Sequence, residues 1–155
     1  MSQKTTNIIG SAGENLTALR LEKDGYFKVY FLGDKAPIED FLVEILDEKH
    51  PYHCLLQVKS TDKKECYLKN GNISTSVPAN KLKKLTLRPL PTYVVGVDMG
   101  NECIYIAPAF NDNQKYSSIP TNFMLDNENE RLRIENLKKF RDDIIRYWEE
   151  SDICI

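Results

Sequence analysis

Apolar residues recur at a helical period near both ends of the chain and alternate with polar ones between. Near the N-terminus Ile8, Ile9, Ala12, Leu16 and Leu19 share one face, which predicts a helix from a cap at Thr5, Thr6 or Asn7 to about Lys23. Glu14 points almost opposite that stripe, on a side shared with Gly10, Ala18 and Leu21. This second side is small and partly apolar, so it too is expected to pack, with Glu14 at a helix–sheet boundary. Asp24-Gly25 stops the helix, glycine taking the position after the cap.

Strand patterns follow. Tyr26 to Leu32 is aromatic and β-branched, and Gly33 to Pro37 is a turn. In Ile38 to Leu46, alternation sends Phe41, Val43 and Ile45 to the core and Asp40, Leu42 and Glu44 the other way. Asp47 to Tyr52 is a polar turn. His53 to Ser60 then places Cys54, Leu56 and Val58 on one side, and Leu55, Gln57 and Lys59 on the other. Glu65 to Lys69 and Ile73 to Val77 read as a hairpin about Asn70-Gly71-Asn72. Pro78 opens a short basic helix from Ala79 to about Leu87, with Leu82 and Leu85 as its apolar positions. Tyr93 to Asp98 and Glu102 to Ala107 form another hairpin, whose Met99-Gly100-Asn101 turn Asp98 is placed to cap. Pro108 to Asn127 is irregular, with a short strand near Ser117 to Ile119. Glu128 to Glu150 is an amphipathic helix with Leu132, Leu137, Phe140, Ile144, Ile145 and Trp148 as its stripe.

A chain of 155 residues with no linker or repeat reads as one domain, 1–155, large enough for a core without staples. The net charge of -2 argues against a generally basic nucleic-acid coat. Its distribution changes that picture: between Lys49 and Tyr93 nine Lys and Arg stand against Asp62 and Glu65, so the middle third is basic and the ends acidic. The four cysteines form no C-x-x-C, and Cys54 and Cys103 fall within apolar strand patterns, as reduced thiols do. No apolar run reaches membrane-spanning length. A cytoplasmic protein is expected.

Chemistry concentrates on facing strands. Asp40 on one, with Gln57 and Lys59 aligned on the next, suggests a divalent-metal site of the phosphodiester-cleaving kind. Glu44, on the same face as Asp40, lies about 13 Å further along the strand, too far to share an ion. His50-Pro-Tyr-His53 has metal-like spacing but no partner ligands, and reads as two incidental histidines. Gly10-x-x-Gly13 lacks the strand and G-K-[ST] of a phosphate loop, and reads as a close helix–sheet approach.

Three segments carry a resemblance: G-S-A-G-E (Gly10 to Glu14), I-E-D-F-L-V-E (Ile38 to Glu44) and L-L-Q-V-K-S-T (Leu55 to Thr61). They resemble the PD-(D/E)xK nuclease superfamily, and are similar to a bacterial branch of it catalogued as a domain of unknown function. The resemblance implies an α/β, restriction-endonuclease-like core: a mixed central sheet flanked by helices, with the site at the rim between the second and third strands. It puts the acidic metal ligand on Asp40 and the second ligand on Gln57, with the Val58 main-chain carbonyl beside it. The lysine falls on Lys59 and the first-helix glutamate on Glu14. Two positions depart from the pattern: Gln57 replaces the usual acid, and Glu39 replaces the proline or small residue before Asp40.

Elementary chemistry supports those residue types. Phosphodiester hydrolysis calls for a hard cation, and Mg²⁺ or Mn²⁺ is held by oxygen ligands, of which one or two protein carboxylates are sufficient. Lys59 beside it would orient or deprotonate water and neutralise developing charge. The expected function is a metal-dependent nuclease acting on DNA, with catalysis by Asp40, Gln57, Lys59 and Glu14. The alternative is a module of the same fold that has lost catalysis and binds nucleic acid or protein. A homodimer through the acidic C-terminal helix is compatible with either.

Overall fold

The alternating segments of the chain line up side by side in one six-stranded mixed sheet. The computed structural model describes residues 3–33, 40–47, 49–109, 118–121, 123–126 and 129–152. Helix α1 (Gln3–Glu22) is followed by β1 (Phe27–Phe31), β2 (Phe41–Ile45) and β3 (His53–Thr61). Then come α2 (Ala79–Thr86), β4 (Thr92–Asp98), β5 (Cys103–Pro108), β6 (Met124–Asp126) and α3 (Glu130–Asp152). The strands stand in sequence order. β3 and β4 run parallel across the α2 crossover, and every other neighbouring pair is antiparallel. The α/β class is as the sequence indicates.

Three layers result. On one face α1 and α3 cover the sheet, with Ala18, Leu21, Leu137, Phe140 and Ile144 packed on Phe41, Leu56, Val95 and their neighbours. On the other, Leu82 and Leu85 of α2 pack on Val94 and Ala107. β3 and β4 are therefore buried on both sides, which is why Leu55 and Gln57 are as enclosed as Leu56 and Val58. No described helix is long and apolar enough to cross a membrane.

The structure corrects several expectations. The α1 stripe ending in Leu19 is not the buried face: Leu19 is 60% exposed, whereas Gly13, Thr17, Ala18 and Leu21 are buried. The small residues let the helix sit close, and the Thr17 hydroxyl donates to the Gly13 carbonyl at 2.8 Å. Leu132 also faces outward, and α3 instead buries Arg133, 4% exposed, against Asp24. The expected 65–77 hairpin is no ladder; it reduces to isolated bridges, Tyr67 to Ile73 and Ile73 to Ile119. β6 lies within the stretch expected to be irregular. The turn over Gly33 to Pro37 and the start of the second strand, Ile38 and Glu39, fall partly or wholly outside the described residues, as does Ser117.

Candidate functional site

The site is built by a difference in strand length. β2 pairs with β3 from Glu44–His53 to Phe41–Leu56 and then stops, while β3 continues five residues to Thr61, over which β4 is its described partner. Asp40 stands at the stop. Its backbone N–H donates to the Leu56 carbonyl at 2.9 Å, and its own carbonyl accepts from Leu32 N–H at 3.1 Å. One step beyond Phe41–Leu56, Asp40 faces Gln57, so their side chains are cross-strand neighbours on one face.

Where the described pairing ends, the Asp40 carboxylate takes up the next donor of β3. Its Oδ2 accepts from Val58 N–H at 2.6 Å and from Gln57 Nε2 at 3.2 Å. In a strand the N–H and C=O of one residue point the same way, so the Val58 carbonyl is directed to this edge as well. Glu14, half-buried on α1, comes within hydrogen-bonding reach of Asp40. Lys59 is half-buried on the same strand face as Gln57. The five positions singled out from the sequence, Glu14, Asp40, Gln57, Val58 and Lys59, are thus brought together.

Electrostatics mark the site. Burial pushes the Asp40 carboxyl above its ordinary value, against the opposing pull of Val58 N–H, a Glu14 hydrogen bond and the charges of Lys59 and Lys81. Burial also pulls the Lys59 ammonium down; repulsion from Lys81 adds to this and attraction to Asp40 opposes it. Two carboxyl groups in hydrogen-bonding reach cannot both ionise cheaply without a proton or cation between them.

The donor set fits a hard divalent cation. It offers two carboxylates, a main-chain carbonyl and an amide, all oxygen ligands of the kind Mg²⁺ and Mn²⁺ take. Gln57, 6% exposed, has its Oε1 buried with no hydrogen-bond partner, a costly state for an amide oxygen. Next to a carboxylate an amide presents its nitrogen; next to a shared cation it presents its oxygen, and a half-turn about the last torsion interchanges them. Among the described residues no three His, Cys, Asp or Glu side chains are grouped to hold a metal, so the amide and carbonyl are needed to complete the set.

The other candidates resolve into structural roles. His50 lies 3.3 Å from Asp47 and 3.6 Å from Glu149, and His53 lies 3.1 Å from Glu44, so the histidines have carboxylate partners at the foot of α3. Asp98 caps its turn as expected, accepting Asn101 N–H at 3.2 Å. Sequence reading missed that Asp98 also accepts the Tyr67 hydroxyl at 2.8 Å, with the Tyr105 hydroxyl 3.0 Å from that of Tyr67. Nothing local signals such a contact across 31 residues. Also missed was that the charge of Lys81 acts on both Asp40 and Lys59.

No protein-family model matches the chain, and no curated protein matches it. Among solved structures, the bacterial homing endonuclease I-Ssp6803I is similar over 81% of this chain and 81% of its own, with 16% identity and a TM-score of 0.48. That likeness is too distant to bear on Asp40 or its neighbours.

Proposed function

We propose that the chain is a metal-dependent nuclease of the PD-(D/E)xK kind, its centre at the edge where β2 stops beside β3. The seating of Asp40 supports this reading: a half-buried carboxylate fixed by Val58 N–H and Gln57, with Glu14 and Lys59 beside it. Asp40, the Val58 carbonyl and the Gln57 amide oxygen would hold Mg²⁺ or Mn²⁺, with Glu14 in support. When bound, the ion stabilises negative charge on the scissile phosphate and makes water a better nucleophile.

The chain's own groups do the rest. Val58 N–H and Gln57 both donate to Oδ2 of Asp40 and so fix its rotamer. Lys59, pulled down by burial, gives up its proton more readily than a solvent lysine. Its Nζ can take a proton from water or, while charged, neutralise a phosphate oxygen. DNA is the proposed substrate, on the resemblance of the three motif segments.

Plasmid cleavage tests the reading. Wild type should cut with Mn²⁺ or Mg²⁺ and stop in EDTA, and Asp40→Ala should lose about a hundredfold or more in rate. If Mn²⁺ neither binds nor supports cleavage, and Asp40→Ala changes nothing, the chain is a non-catalytic binding module of this fold.

A further inference from the structure

Helix α2 lies on the sheet face that carries the site. Leu82 and Leu85 anchor it on Val94, and Val94 is the register partner of Gln57. Register partners in adjacent strands present their side chains to the same face, so α2 covers the face of Gln57 and Lys59. At 100° per residue, Lys81 and Lys84 fall on one flank of the Leu82–Leu85 stripe, about 4.5 Å apart along the axis, and Lys83 falls on the other. Lys81 is half-buried, whereas Lys83 and Lys84 are exposed. Lys81 is also near enough to act on both Asp40 and Lys59. The Lys81 charge thus joins that of Lys59 on the site face, each repelling the other.

We infer that the Lys81–Lys84 flank of α2 grips the phosphate backbone of a nucleic acid and leads it to the Asp40 edge. This rests on the reading of that edge as a phosphodiester site. Backbone phosphates carry no base identity, so the contact serves any sequence and its strength falls with salt. The lysines position the strand and take no part in bond cleavage.

The test is fluorescence anisotropy with a labelled mixed-sequence DNA duplex in EDTA, across a sodium chloride series. Lys81→Gln/Lys84→Gln should make the slope of log affinity against log salt shallower by about two. Lys83→Gln should leave it unchanged. Lys81→Arg, which keeps the charge, should retain the wild-type slope and exclude a folding defect as the cause. An unchanged slope in the double variant, or an equal loss from Lys83→Gln, overturns the inference. Mn²⁺-dependent cleavage by wild type is scored separately. Binding that depends on Lys81 and Lys84 without any cleavage removes the nuclease reading and keeps the contact; cleavage with an unchanged slope does the reverse.

Discussion

Glutamine at position 57 gives Asp40 a donor where glutamate would give it a repelling charge. Its Nε2 donates to Asp40 Oδ2 at 3.2 Å while its own Oε1 stays unpartnered. Gln57→Glu should therefore act in opposite directions on fold and on metal affinity. In EDTA, losing a hydrogen bond to a charged group should cost about 2 kcal/mol, read as a lower melting temperature. With Mn²⁺ the extra carboxylate should bind more tightly, so the metal-induced rise in melting temperature should exceed that of wild type. Equal rises in the two proteins would remove position 57 from the ligand set. The residue identities at this edge were legible in the sequence because alternation fixes faces: Asp40, Gln57 and Lys59 all had to leave the Phe41–Val58 side. The amide's orientation was not, since it depends on which group meets it across the strands.

Among the elements, α1 depends on a contact that hydrophobicity does not reveal. A Cβ on Gly13 would lie 1.7 Å from Ser60 Oγ and 2.7 Å from Ser60 Cβ. Glycine is what lets α1 approach β3 closely enough for Glu14, the next residue, to reach Asp40. Gly13→Ala should cost about 2–3 kcal/mol by overpacking, measured by urea unfolding. Adding Ser60→Gly should recover much of that loss, and if it does not, the contact is not the cause. The same feature explains why the buried side of α1 was misjudged: Gly13, Thr17 and Ala18 are small, so Leu19 and Ile8 outweigh them in any apolar stripe. Strands β1 to β5 were readable from their period. The three residues of β6 were too few to show one, and the bridges at Ile73 depend on Ile119, far along the chain.

At the scale of the whole molecule, an ion pair joins the helices that share a face. Arg133 on α3, 4% exposed, meets Asp24 just past the end of α1, with Glu130 3.6 Å away. The hydrogen bond from Arg133 holds the Asp24 carboxyl below its ordinary value, with burial opposing and the charges of Arg133 and Lys23 assisting. A depressed carboxyl contributes stability that is present above its unfolded value, near 3.8, and is lost as pH falls through the folded one. Asp24→Asn should cost about 2–3 kcal/mol at neutral pH, below the ~3–5 kcal/mol of a fully buried broken pair, because Asp24 still touches water. Its stability should also fall less steeply than that of wild type between about pH 5 and pH 2. Parallel slopes in urea titrations across that range would show that the pair contributes nothing.

The early end of β2 has a further consequence for handling the protein. Beyond Leu56 no described strand pairs with the outer edge of β3, and the Asp40 carboxylate occupies its first donor, Val58 N–H. Removing the Asp40 carboxylate uncaps that edge. Asp40→Ala should self-associate on concentration, seen as a rising mass in light scattering, whereas Asp40→Asn keeps an acceptor oxygen and should remain dispersed. The asparagine variant is thus the cleaner control for the proposed cleavage, and the residue proposed to hold the metal is expected to guard against aggregation as well.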